Sequence, residues 1–93
     1  MKHYFIEDSV LSFNGETFTG KNNIWKKVES LGKMRYKIKS IDSQIFLEDG
    51  LIIHVSGVFE QNDQFPEHFT EVFLLKRDSE QSYYIINDIF RAI

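Results

Sequence analysis

The sequence predicts an α+β fold in which a curved antiparallel β-sheet wraps on one helix. Three observations predict it. Asn14-Gly15 separates two short mixed runs, the strongest local signal for a tight hairpin, because both turn positions need positive φ. Residues 21–31 hold a helical period. After Gly32 the chain reads as β-branched and aromatic runs divided by turn residues. At 93 residues the chain is one domain, 1–93, with a single modest core, since a chain this short buries about two thirds of its unfolded surface. Its 42% apolar and 27% charged residues fit a globular domain and exclude a disordered one.

The elements follow in order. Val10-Leu11-Ser12-Phe13 and Glu16-Thr17-Phe18-Thr19 form the hairpin arms. Ile24, Val28 and Leu31 recur at i, i+4, i+7, with Trp25 on their flank and Lys26, Lys27 and Glu29 opposite. Thr19 or Gly20 is the N-cap, and Gly32 suits the left-handed position after the last turn. A strand runs from Arg35 to Leu47 and turns at Glu48-Asp49-Gly50. The next spans Leu51 to Glu60, with Gly57 in its interior marking a bulge or sharp bend. Gln61 to Pro66 is a loop, His68 to Arg77 a strand with Phe69, Phe73 and Leu75 on one face, and Ser82 to Arg91 the last strand.

These strands are apolar on both faces. Leu51, Ile53 and Val55 oppose Ile52 and Val58; Tyr83, Ile85 and Ile89 oppose Tyr84, Ile86 and Phe90. A sheet with one wet face alternates apolar with polar residues. One short helix covers only one face, so the other requires a partner. A second copy is the simplest, and the pattern predicts a sheet-to-sheet homodimer.

Several function classes are excluded. With no cysteine, disulfides, thiolate catalysis and Cys-based zinc sites are absent, which fits a reducing intracellular compartment. The longest apolar runs, Val72–Leu75 and Tyr83–Ile86, are too short for a membrane helix, and Glu7 ends the N-terminal apolar stretch too early for a signal peptide. His3, His54 and His68 lack metal-ligand spacing, and the scattered glycines form no phosphate loop. Charge is divided: seven of the eleven basic residues lie between Lys21 and Lys39, and ten acids follow from Asp42 onward. Such a dipole steers a charged protein partner or simply solvates two faces. Trp25 and Tyr36 interleave the basic stretch in the manner of single-strand binders, but Trp25 falls on the helix's apolar flank, against a nucleic-acid partner. Asp42, His54 and Asp88 inside predicted strands are candidates for acid–base chemistry or for ordinary hydrogen bonding. Phe65 and Pro66 in an acid-rich loop either dock a protein or tuck over the sheet edge.

Five segments carry a family resemblance. Tyr83-Tyr84-Ile85-Ile86-Asn87-Asp88-Ile89-Phe90-Arg91 resembles the last strand of nuclear transport factor 2 proteins, with Asn-Asp-Ile-Phe-Arg the most specific part. Leu11 to Gly20 resembles the family's first hairpin and the Gly before its helix. Ile41-Asp42-Ser43-Gln44, Val55-Ser56-Gly57 and Phe69 to Leu75 are similar to three further strands, so the resemblance spans residues 4–91. It implies a cystatin-like cone that dimerises through its sheet, binds the GDP form of the GTPase Ran, and crosses the nuclear pore by weak contacts with Phe-x-Phe-Gly repeats of nucleoporins, between cytoplasm and nucleus. No enzymatic activity, cofactor, metal, nucleic acid or membrane is implied. By position, Phe13 and Phe90 line the mouth of the cone, where an aromatic side chain of Ran inserts, with Leu31 nearby. Asn14, Asn62, Asp63 and Gln64 fall at or beside rim positions where the family places acids.

Two departures follow from the same comparison. Asn14, Asn62 and Gln64 remove rim charge, which weakens Ran recognition unless Asp63 and Glu60 compensate. Family members begin with two helices that precede the hairpin, close the cone and supply an aromatic for nucleoporin repeats; this sequence starts near the hairpin, which predicts a partly open concave face. Two other expectations stand beside transport. One is a dimerisation module of a messenger-RNA export or scaffold protein. The other is a small acid–base enzyme with the same cone, disfavoured because water exclusion is difficult without the leading helix.

Overall fold

The computed structural model describes residues 4–93, so His3 lies outside the described residues. Its elements are β1 (Phe5–Phe13), β2 (Glu16–Thr19), α1 (Lys21–Ser30), β3 (Met34–Phe46), β4 (Gly50–Gln61), β5 (Glu67–Arg77) and β6 (Tyr83–Ala92). One sheet contains all six strands in the order β2-β1-β6-β5-β4-β3. The hairpin and the β3–β6 meander pair antiparallel as expected, but β1 joins β6 in parallel, which makes the sheet mixed.

The hairpin turn has φ 50° at Asn14 and 93° at Gly15, the double positive-φ geometry that favours Asn-Gly. β1 is longer than its sequence pattern because Glu7, Asp8 and Ser9 interrupt the alternation. Between Phe5 and Val10 the β1–β6 register shifts, and Ser9, fully buried, anchors the irregularity. Its hydroxyl donates to the Ile85 carbonyl at 2.6 Å and accepts the Ile6 N–H at 2.8 Å. The helix begins after Gly20 at φ 89° and ends before Gly32 at φ 74°, conformations that glycine adopts without strain. Ile24, 0% exposed, turns α1 onto Phe5 and Leu11, with Val28 beside them. This is one core cluster. Val55, Phe59, Phe69 and Phe90 on the sheet form the other, and Phe13 packs against both.

The bend arises where β3 and β4 cross Gly57. The β3–β4 register shifts between Ile38 and Ser40, directly opposite Gly57, and a Cβ at that glycine would collide with the Lys37 carbonyl oxygen. The bulge lies on β3 and the glycine makes room for it on β4. It also moves Ile41 onto the concave face that holds Tyr36 and Ile38. A second irregularity, between Leu74 and Leu75 opposite Ile85 and Asn87, corrects the sequence reading of β6. An extra residue there places Ile85 on the concave face with Asp88 and Phe90, where simple alternation pairs it with Ile89.

Candidate functional site

Because α1 covers only the β1–β2 end, the concave face of the bent sheet encloses a cavity of about 410 Å³. The β3 bulge brings Ile41, and the β6 irregularity brings Ile85, into its lining. Phe13, Leu31 and Phe90 are among the residues that line it. The Phe13 and Phe90 rings stack at 4.6 Å with 3° between planes, and Phe90 continues into Phe69 at 5.3 Å and Phe59 at 5.4 Å. Leu31, 9% exposed, caps the helix end. Lys27 lies 5.0 Å from the Phe13 ring centroid, so one cation sits beside that ring.

The inner wall is acidic. Glu71 stands between Phe69 and Phe73 on the concave side of β5, opposite Phe90; Asp88 stands opposite Phe73 on β6. The two carboxyl groups are therefore diagonal neighbours on one face. Asp88 is 5% exposed and its Oδ1 has no hydrogen-bond partner. Burial, then a hydrogen bond to Asp88 and its charge, pushes Glu71 up to about 10. Burial also raises Asp88, against a lowering by its hydrogen bond to Glu71. Two carboxylates cannot both ionise readily in such a wall, and Glu71 keeps its proton at neutral pH. Tyr36, packed edge-on to Phe69 at 5.7 Å, completes this side. Burial raises its phenol, and the charges of Glu71 and Asp88 raise it further.

The residues singled out from sequence divide into two groups. Phe13, Leu31 and Phe90 meet at the cavity; Asn14, Asn62, Asp63 and Gln64 do not line it. Asn14 Oδ1 accepts the Ala92 N–H at 2.7 Å, and its own N–H donates to the Phe90 carbonyl at 2.9 Å, so the side chain is structural. Asn62, at φ 53°, exchanges two hydrogen bonds with Lys33: its Oδ1 accepts the Lys33 N–H at 3.0 Å and its N–H donates to the Lys33 carbonyl at 2.8 Å. Gln61 Nε2 donates to the Leu31 carbonyl at 3.0 Å. These bonds hold the 62–64 loop against the helix end. Asp63 faces Lys33 at 3.5 Å and Arg35 at 3.7 Å, so this acid is already paired within the chain. Gln64 lines a shallow depression with Asp63 and Phe65, and Phe65 is 90% exposed and does not tuck over the sheet.

Asp42 and His54 face each other across β3 and β4 on the outer side of the sheet, exposed, so the inward triad of Asp42, His54 and Asp88 does not form; only Asp88 enters the cavity. Among the described residues no group of three metal-ligating side chains gathers. Glu71 is the residue that sequence reasoning missed. Its signal was there: an acid at the centre of the apolar alternation Phe69, Glu71, Phe73.

A family model described as the nuclear transport factor 2 domain matches residues 2–92. The probable nuclear transport factor 2 of Caenorhabditis elegans is 32% identical over 90 residues, which are 95% of this chain and 68% of that protein. Nuclear transport factor 2 of Saccharomyces cerevisiae is 33% identical over 91 residues, 94% of this chain and 72% of that one. The solved structure of nuclear transport factor 2 from Cryptosporidium parvum aligns with a TM-score of 0.91 at 29% identity, covering 99% of this chain and 76% of its own.

Proposed function

The chain belongs to the nuclear transport factor 2 family, and from that premise we propose that it acts as a transport factor and not as an enzyme. It binds the GDP form of Ran and carries it from cytoplasm to nucleus, crossing the pore by weak contacts with nucleoporin Phe-x-Phe-Gly repeats. The observation that supports this reading is the convergence of Phe13, Leu31 and Phe90 on one apolar cavity. An inserted aromatic side chain meets stacked rings there and gains both area burial and ring contact. The homodimer belongs to the same reading. His54, Val72 and Ile89 form a row across β4, β5 and β6 on the outer face, with Ile52 beside Leu74 in the next row. Ile89 is 52% exposed there, an apolar surface that a second copy covers.

A second reading has a specific observation behind it. Asp63 is held by Lys33 and Arg35, and Asn62 is spent on the Lys33 backbone, so the rim offers little free negative charge to a basic partner. A dimerisation module of an export or scaffold protein has no need of that charge. Calorimetric titration with Ran, loaded once with GDP and once with a GTP analogue, separates the two. Selective binding of the GDP form supports transport; no binding to either form favours the dimerisation module.

A further inference from the structure

We propose that the free edge of β3 pairs antiparallel with the same edge of a second copy of this chain, on a twofold axis through Ser43. β3 ends the sheet order, and among the described residues no strand covers its far edge. Arg35 to Phe46 are all exposed. An edge strand presents unpaired N–H and C=O groups that template a further strand. β2, the opposite edge, has only 4 residues, whereas β3 has 13. The first half of β3 is protected: Arg35, Lys37 and Lys39 alternate along it, and the bulge between Ile38 and Ser40 twists it. The second half, Ser40-Ile41-Asp42-Ser43-Gln44-Ile45-Phe46, has no proline, no bulge and a single charged residue, Asp42. Ile41 is 63% exposed there and Ile45 82%.

This half of the strand is complementary to itself. With Ser43 on the axis, Ile41 of each copy faces Ile45 of the other, Asp42 faces Gln44, and Ser43 faces its own equivalent. The apolar pairs lie on the concave side, where Ile41 lines the cavity, and the polar pairs lie on the outer side. No two like charges oppose. The ends fit as well: Lys39 of one copy comes beside Leu47 and the exposed Glu48 of the other, twice by symmetry. A slip of one residue sets Ile41 against Gln44, or Ile45 against Asp42. Parallel pairing in register sets Arg35, Lys37 and Lys39 against their own equivalents. A second copy, antiparallel, is the occupant that this edge selects. The contact is separate from the homodimer proposed above, which uses the row His54, Val72 and Ile89 on the outer face of β4 to β6. It is also small, so it forms above the micromolar range.

The chain has no cysteine, which allows a direct test. Ser43→Cys and, as a control on the same edge, Lys37→Cys are each made in the Ile89→Asp background, which removes the outer-face dimer. Under mild oxidation Ser43→Cys is expected to cross-link two copies at least about tenfold faster than Lys37→Cys, because only the axial position brings two thiols within disulfide reach. That ratio decides whichever way the outer-face dimer turns out. Sedimentation of Ile89→Asp from micromolar to millimolar concentration is expected to pass from monomer to dimer. Adding Ser43→Lys, which sets two cations on the axis, abolishes that step. Positions 37 and 43 are exposed, so the fold tolerates these changes. Amide exchange between residues 41 and 45 slows over the same concentration range. A peptide of residues 40–46 is expected to compete for the edge, and a scrambled peptide is not. Equal cross-linking at the two positions, an Ile89→Asp chain that stays monomeric, or equal capture of the scrambled peptide overturns the proposal.

Discussion

Glu71 and Asp88 stand diagonally across the β5–β6 ladder on the concave face, flanked by Phe69, Phe73 and Phe90. Two acids in an apolar wall leave a signature in stability. Glu71 is pushed from 4.5 to about 10, and Asp88 is raised from 3.8. The folded chain therefore holds protons that the unfolded chain releases. Their contribution to stability is fully present below the unfolded values near 4, and it is lost as pH rises toward the folded ones. The urea midpoint is expected to fall between pH 5 and pH 9, and a midpoint that climbs over this range contradicts the assignment. Glu71→Gln flattens the profile and raises stability at pH 8 by about 1–3 kcal/mol, the penalty of an unsatisfied buried group.

Phe90→Ala removes a ring that is 2% exposed and touches Phe13, Phe59 and Phe69. It is expected to destabilise the chain by about 3–5 kcal/mol. Phe13 is only half-buried, so Phe13→Ala destabilises less while still enlarging the cavity. Urea unfolding of the two variants, side by side, checks the order.

Gly57→Ala drives a methyl group against the Lys37 carbonyl. Strand and bulge must separate to admit it, at about 1–3 kcal/mol. Amide shifts concentrated at Lys37, Ile38 and Ser56 in a spectrum of the variant would mark the damage as local to the bend.

Ile89→Asp places a charge at the β6 end of the outer row His54, Val72, Ile89. Sedimentation at micromolar concentration is expected to give dimer for the natural chain and monomer for the variant. A natural chain that is monomeric and binds no hydrophobic dye contradicts the homodimer.

Lys33→Ala with Arg35→Ala releases Asp63 from both of its ion pairs. Exposed pairs of this kind contribute little to stability, so the fold is expected to tolerate the change. Binding of GDP-bound Ran is expected to tighten as the rim regains a free acid, measured by the same titration as for the natural chain.

Much of the architecture was legible because its signals are local. Asn14-Gly15 dictates a two-residue turn whatever surrounds it, and Ile24, Val28 and Leu31 mark one face of a helix. Where the reading failed, the deciding contact was distant in sequence. The start of β1 was hidden because Glu7, Asp8 and Ser9 break the alternation, and only the Ile85 carbonyl, far along the chain, makes the Ser9 hydroxyl a strand residue. Ile85 was placed on the wrong face because one extra residue in β6 inverts everything before it. At the candidate site, Phe13, Leu31 and Phe90, named from sequence, do line one cavity. The engagements of Asn62 with Lys33 and of Asn14 with Ala92 were not legible, because neither pairing leaves a trace in spacing. Glu71 was overlooked for another reason: an acid in a strand reads as solvent-facing until its neighbours are known to line a cavity.

The strand order β2-β1-β6-β5-β4-β3 puts β6 between the two halves of the sheet. During synthesis the hairpin and helix emerge before β3 to β5, and each half presents an unpaired edge until the joining strand leaves the ribosome. Phe90, which ties the sheet cluster to Phe13, arrives with that strand. Folding is thus withheld until nearly all of this segment has been translated, and long-range pairing of this kind is slow. The nascent chain carries two open β-edges throughout that interval, and such edges are prone to pairing with other chains.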